Sequence, residues 1–339
     1  MRYAILGAGY IAPINAAALM ECEEAEIVCI ANRTEEKALL MREKLGITCP
    51  VYTDYKEALL KEKPDAAVIC VFNDQHKEYF TECAKRGINV LCEKPLANTY
   101  EDCLFMKETA EKYGIKVSVL QTQRYGAVLT TLADYIDTHL CELGELCSVE
   151  DNISCHYFWD GRSPWHLDNK RSGGGIVLNY GVHQLDRVHY MLTVGSGEAR
   201  TAEFYGKAIM AKPGIDTFSS YAMMGVTEKG VPYTITCTGY CAAGINEMLL
   251  HFRNKNVKAV LVSNGMDERG VYVSTEDGFI KIPLICEDGE GNHDMYVREM
   301  READLYLKGI RPEAPIPVEW AAEVVRLSEL TCENGQRLK

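Results

Sequence analysis

The sequence predicts an α/β chain in two parts: a doubly wound parallel-sheet domain over residues 1–121, then an α+β domain over residues 122–339 built on a large, mainly antiparallel open sheet. Three observations carry that expectation. A chain of 339 residues exceeds what one hydrophobic core commonly organises. Its first part alternates apolar runs with helical patterns, as βαβ units do. From residue 147 to about residue 282 it changes to short segments rich in Val, Thr, Tyr and Ile, separated by turn residues.

Strand-like runs fall at 3–6, 26–31, 66–72, 89–92 and 116–121, each a continuous apolar stretch of the kind covered on both faces of a parallel sheet. Helices are expected between them at 12–20, 35–45, 55–61, 75–86 and 100–113, and one more ends near His139. The second part should form strands at 202–208, 217–224, 232–239, 247–253 and 270–274. Two helices interrupt or follow that sheet, one from Gly181 to about Leu192 and one over 318–330, after Pro317. There is no internal repeat and no low-complexity linker.

The formal net charge of −13, with no block of Lys and Arg, argues against contact with a nucleic-acid backbone. No apolar run approaches the ~20 residues that cross a bilayer. The first six residues run directly into Gly7, too short for a secretory leader, so a cytoplasmic protein is expected. The 14 cysteines are irregularly spaced without a CxxC pair, and read as buried reduced thiols with no metal centre.

Gly7-Ala8-Gly9-Tyr10-Ile11-Ala12 is a GxGxxA element set between a strand and a helix. The first glycine permits the tight turn, the second brings backbone amides to a pyrophosphate, and the small third residue lets helix pack on strand. This is the fingerprint of a Rossmann domain binding NAD(P), with the helix N-terminus facing the phosphates. The second strand ends in Asn32-Arg33, with no carboxylate to grip a ribose 2′-hydroxyl. Arg33 suits a 2′-phosphate, the alternative being a solvated arginine with Asn32 on a plain ribose; the preference leans to NADP. Asn73, after the fourth strand, is expected to line the cofactor, while His76 reads as a helix-terminal residue.

The fifth strand runs into Glu93-Lys94-Pro95, and a second motif spans Gly173-Gly174-Gly175 to Asn179-Tyr180-Gly181-Val182-His183 and Asp186. In this order, with the GxGxxA start and the segment after Glu319, the chain resembles the glucose-fructose oxidoreductase, inositol dehydrogenase and MocA family, Gfo/Idh/MocA. The resemblance implies a Rossmann domain and an α/β domain that closes over the cofactor and often mediates oligomerisation. It also implies Lys94 as catalytic lysine, with Glu93 and Lys94 at the cofactor, and His183 as acid/base histidine. Asn179 falls where sugar and inositol dehydrogenases of the family carry Asp, so a carboxylate relay is not available there.

Residue chemistry agrees with the lysine and histidine roles: His183 titrates nearest neutrality and suits removal of a hydroxyl proton, and the Lys94 ammonium suits a developing alkoxide. Asn179 is expected to position substrate. Tyr180 lines the site or packs, and Asp186 orients substrate or imidazole or pairs with an arginine. Arg124 contacts substrate or forms an interdomain salt bridge. In the aromatic segment 156–166, Trp165 and His166 either border a sugar or close a core.

The implied function is NAD(P)-dependent hydride transfer at a hydroxyl-bearing carbon of a sugar, glycoside or cyclitol. A redox-neutral glycoside-cleaving enzyme with retained NAD and a non-catalytic NAD(P)-binding sensor or repressor are the rivals. Exposed sheet edges lead us to expect a homodimer or homotetramer.

Overall fold

The computed structural model describes residues 1–210, 215–263 and 267–337. By its contacts the chain divides into two compact units, Met1–Thr122 with Asp288–Val325, and Gln123–Glu287 with Arg326–Lys339.

The first unit follows the alternation of the sequence: β1 (Arg2–Leu6), α1 (Ala12–Met20), β2 (Glu26–Ala31), α2 (Glu35–Leu45), β3 (Val51–Tyr52), α3 (Tyr55–Glu62), β4 (Ala66–Ile69), α4 (His76–Lys85), β5 (Asn89–Glu93), α5 (Tyr100–Tyr113) and β6 (Val117–Leu120). The strands form one parallel sheet in the order β3-β2-β1-β4-β5-β6. Strand order therefore reverses beside β1, the place where open α/β sheets bind ligands. Register aligns the strand ends: Leu6 pairs with Ala31 and with Ile69, and Ile69 with Cys92. The residues that follow these ends, Gly7, Asn32, Cys70 and Glu93, thus share one edge. Side chains alternate along β1, Ala4 and Leu6 entering one buried cluster and Tyr3 and Ile5 the other, so both faces are covered.

The second unit begins with α6 (Ala127–Leu143) and β7 (Leu146–His156), then α7 (Asn169–Ser172) and α8 (Val182–Ser196). Seven strands follow: β8 (Thr201–Met210), β9 (Ser220–Thr227), β10 (Pro232–Thr238), β11 (Tyr240–Phe252), β12 (Asn256–Val262), β13 (Gly270–Thr275) and β14 (Gly278–Ile282). They join β7 and the C-terminal β15 (Gln336–Arg337) in a nine-stranded sheet, β14-β13-β12-β11-β7-β10-β9-β8-β15. Pairing is antiparallel except between β7 and β10 and at the β8 edge. In β10, Tyr233, Ile235 and Cys237 are buried and Pro232, Thr234 and Thr236 are exposed, so one face takes the helices. Leu185, Val188, Met191 and Leu192 of α8 are buried on that side.

Three elements close the chain: α9 (His293–Leu307), α10 (Val318–Glu333) and β15 (Gln336–Arg337). Helix α9 was not expected from the sequence. It packs against α1, and Tyr3 Oη donates to Asp304 Oδ1 at 2.6 Å. Val318, Ala321, Ala322 and Val325 of α10 enter the core of the first unit, after which the chain passes to the second. The segment Asp288–Val325, placed from the sequence with the C-terminal domain, thus groups by contacts with the N-terminal one. Among the described residues no helix is long and apolar enough to cross a membrane.

Candidate active site

Gly7 leaves β1 at φ +109°, and a Cβ there would overlap the carbonyl oxygen of Cys70, so only glycine fits. Gly9 is exposed and has only that oxygen within 4.0 Å of a Cβ position. Tyr10 is 89% exposed, Ile11 partly so, and Ala12 is buried where α1 meets the sheet. Ile11 precedes α1 without a side-chain cap, and Pro13 occupies the first turn. A glycine turn feeding an uncapped helix start is the geometry that accepts a pyrophosphate, so these residues fit the dinucleotide the fingerprint implies.

Asn32 is turned toward this loop. Its Oδ1 accepts from the Ala8 amide at 3.1 Å and its Nδ2 donates to the Thr34 carbonyl at 2.7 Å. Arg33, beside it, is exposed. Asn73 is buried at the start of the turn after β4.

The Glu-Lys-Pro element leaves β5 at the same edge, with a cis Lys94–Pro95 peptide. Glu93 Oε1 accepts from Asn15 Nδ2 at 2.7 Å and its Oε2 from the Lys94 amide at 3.1 Å. Glu93 therefore joins α1 to the loop that presents Lys94. Burial raises its carboxyl above the usual range, against the pull of the Lys94 charge and the Asn15 bond. His76 is wholly buried, its Nδ1 2.9 Å from the Pro95 carbonyl and its Nε2 3.3 Å from that of Val71. Burial lowers its pKa, and the neutral imidazole, with a single N–H, ties the start of α4 to the Lys94 loop by donating to the nearer carbonyl, that of Pro95. More than a helix-terminal residue, His76 is a strut. Lys94 remains partly exposed between buried Glu93 and Pro95.

In the second unit, Gly173, Gly174 and Gly175 all take positive φ. At Gly175, φ +58°, a Cβ would overlap Thr217 Oγ1, which explains the glycine without invoking a ligand. A π-helical turn, Val177–Gly181, then runs into α8. The turn carries Asn179 and Tyr180, both partly exposed, one turn before His183. His183 is half-buried while Val182 and Gln184 beside it are buried. Asn179 Nδ2 donates to Tyr157 Oη at 3.3 Å, and the Tyr157 and Tyr180 rings meet edge to face at 5.7 Å. Asn179, Tyr180 and Tyr157 therefore form one polar and aromatic wall. Burial pushes the Tyr180 phenol up to about 12, which keeps it protonated at neutral pH.

Asp186 and Arg124, both expected as substrate contacts, engage each other. Arg124 Nε donates to Asp186 Oδ2 at 2.8 Å and Nη2 to Oδ1 at 2.6 Å, with Asp186 only 1% exposed. This bidentate ion pair, the alternative that the sequence offers to a substrate contact at both positions, ties the segment before α6 to α8. The Trp165 and His166 rings meet at a tilt of 30°, centroids 3.8 Å apart, in the turn Pro164–Leu167.

Sequence reasoning missed the polar network beneath His183. Arg187, fully buried, binds Asp151 through Nε–Oδ2 and Nη2–Oδ1 contacts of 2.6 Å each. Gln184 donates to the same carboxylate and accepts from Tyr221. Gln184 and Arg187, three apart on α8, were visible as polar residues on a face otherwise apolar; their partners on β7 and β9 were not. Among the described residues no group of three His, Cys, Asp or Glu side chains is placed to hold a metal ion.

Comparison with known proteins places this architecture. Residues 1–121 match the oxidoreductase family with an NAD-binding Rossmann fold, and residues 141–257 match the GFO/IDH/MocA C-terminal domain. The chain belongs to the GFO/IDH/MocA oxidoreductase family and carries its NAD(P)-binding Rossmann fold. The 2,7-anhydro-N-acetylneuraminate hydratase of Mediterraneibacter gnavus is 28% identical over 193 residues, 56% of this chain and 49% of that protein. The myo-inositol 2-dehydrogenase of Thermotoga maritima is 26% identical over 192 residues, 57% of this chain and 55% of that protein. The chain thus spans about half the length of these curated relatives. The crystal structure of GenD2 from gentamicin A biosynthesis, in complex with NAD, superposes with a TM-score of 0.82 at 18% identity, covering 98% of this chain and 93% of that one. At that identity the likeness is one of fold.

Proposed function

We propose that the protein is an NAD(P)-dependent dehydrogenase or reductase acting on a CH–OH carbon of a sugar, glycoside or cyclitol. The observation that carries this reading is Lys94, held by Glu93 and His76 at the same sheet edge as the Gly7–Gly9 turn. An ammonium beside a dinucleotide cradle has a task that a purely binding protein lacks.

A bound nicotinamide supplies the hydride acceptor or donor. The Lys94 ammonium donates to the substrate oxygen and offsets its growing negative charge during oxidation. His183 takes the hydroxyl proton and returns it in the reductive direction. Asn179 orients a neighbouring hydroxyl through its amide and takes no proton. For the cofactor we favour NADP: both polar ends of Asn32 are engaged within the fold, which leaves exposed Arg33 as the side chain suited to a 2′-phosphate. Tyr205 and Met224, paired across β8 and β9, are exposed among the described residues of the second unit's sheet, and we propose that a second copy covers them in a homodimer or homotetramer, checked by light scattering in solution.

The function is tested by a screen of sugars, glycosides and inositols with NAD and NADP separately, reading reduced cofactor and sugar products. Lys94→Ala and His183→Ala should each lower kcat by about 10²–10⁴, and His183→Ala should leave cofactor affinity unchanged. Full activity in both variants refutes the assignment. Aglycone released without net cofactor reduction replaces it with the redox-neutral reading.

A further inference from the structure

Arg124 and Arg187 on or against α8, and Arg162 beside the π-helical turn that precedes it, differ in their partners. Arg124 and Arg187 each grip a buried carboxylate in two places. Arg162 does not. It stands on the turn after β7, where its own amide donates to the Trp159 carbonyl at 3.2 Å, and its guanidinium lies over the Tyr157 ring, 3.5 Å from the centroid. Among the described residues no carboxylate pairs with it, and its Nε, shielded from solvent, has no hydrogen-bond partner.

Around Arg162 stand the phenols of Tyr157 and Tyr180 and the thiol of Cys155, whose pKa is lowered by its bond to Cys237 and further by the Arg162 charge. Tyr157 beneath it is 1% exposed and accepts from Asn179 at 3.3 Å. Burial lifts the Tyr157 and Tyr180 phenols above their usual range, and the Arg162 charge opposes that lift in both. The contacts therefore run from Arg162 through Tyr157 to Asn179, which sits one turn before His183. A guanidinium fixed on an aromatic face has its orientation set in advance, and among the described residues no carboxylate occupies its planar fork. Such a group is costly in a partly dry site unless an anion meets it.

We infer that Arg162 receives a carboxylate carried by the substrate, so that the sugar taken by this wall is an acidic one of the uronic-acid or ulosonic-acid class. The fork of a single guanidinium matches a monoanionic carboxylate in two parallel bonds, whereas a phosphate dianion is commonly met by more than one cation. Asn179 then supports a ring hydroxyl beside the carbon that His183 serves. The inference rests on the proposed hydroxyl chemistry for the role of the wall, but the binding it asserts is measurable apart from turnover.

The test is calorimetric titration of the full chain, with and without NADP, using matched pairs: glucuronate, galacturonate, mannuronate and N-acetylneuraminate, each against its neutral counterpart, with glucose 6-phosphate as a separate arm. At least one acid should bind about ten-fold or more tightly than its neutral partner, and Arg162→Gln should remove that margin while leaving neutral-sugar affinity within about two-fold. Arg162→Lys should retain part of it and controls for folding. The inference is overturned if no acid outbinds its neutral partner, if glucose 6-phosphate outbinds every acid, or if Arg162→Gln weakens acid and neutral sugars alike. Arg162-dependent binding without cofactor turnover refutes the proposed activity and leaves the carboxylate site standing. Turnover of neutral sugars alone does the reverse.

Discussion

Glu93 acts through two neighbours, and the consequences of losing it differ for each. Its Oε1 holds Asn15 on the helix that follows the glycine turn, and its Oε2 holds the amide of Lys94. Glu93→Ala would leave the fully buried Asn15 amide without that acceptor, at a cost of about 1–3 kcal/mol. The same substitution frees the Lys94 backbone and loosens the start of α1, so cofactor affinity and kcat should fall together. Glu93→Gln keeps an acceptor for Asn15 and should recover most of the stability. Urea unfolding together with cofactor titration of both variants decides this; a stable Glu93→Ala protein with normal cofactor affinity would show that the bonds are incidental. At this scale the sequence disclosed which residues matter more readily than what they touch. Gly7, Lys94 and His183 announce themselves by motif, because backbone geometry and side-chain chemistry restrict what can stand there. The Asn15–Glu93 bond joins residues 78 apart and the His76–Pro95 bond residues 19 apart, and neither separation follows from local spacing.

Elements were legible where burial is two-sided or strictly periodic. The strands of the first unit are continuous apolar runs because helices cover both faces, and β2 and its neighbours α1 and α2 lie where the pattern puts them. The run at 66–72 was read too long, since β4 ends at Ile69 and Cys70 already faces the glycine turn. Apolar character there reflects the cores, since Cys70 enters one buried cluster and Val71 packs against the other. Helix α9 escaped notice although Val297, Met300, Ala303 and Leu307 recur at helical spacing, because charged residues fill the positions between and its N-cap is Asn292 at φ +63° without a capping bond. Strand β3 has only two residues, and no periodicity is visible over so short a span. The π-helical turn before α8 is a case of a different kind. Apolar spacing indicates a helix, but nothing in it distinguishes a wider turn, which here sets the offset between Asn179 and His183.

Across the whole molecule, each unit buries one neutral histidine, and the two should not respond alike to acid. In the second unit His189 is 3% exposed, next to Tyr233 and Thr201, and burial, reinforced by the charges of Arg124 and Arg326, lowers its pKa from 6.5 to about 4. Above pH 6.5 neither the folded nor the unfolded chain protonates this group, so it adds no pH dependence. Below pH 6.5 the unfolded chain binds a proton that the folded chain refuses, and stability falls by about 1.4 kcal/mol per pH unit until the folded value is reached. Over the full window the loss is on the order of 3 kcal/mol. His76 in the first unit is lowered in the same direction by burial, but there buried Glu93 opposes it. A carboxyl raised in the folded state favours folding as pH falls toward its unfolded value near 4.5, because the folded chain then holds the proton more firmly. The first unit therefore carries two buried groups, His76 and Glu93, whose shifts act on stability in opposite directions. Hydrogen exchange between pH 7.5 and pH 5 should show the core strands β9 and β10 losing protection before β1 and β4. His189→Gln, which keeps a partner for Tyr233 and Thr201 without a titrating ring, should flatten the acid limb of the second unit alone. An unchanged acid limb in that variant would assign the pH dependence to groups other than His189.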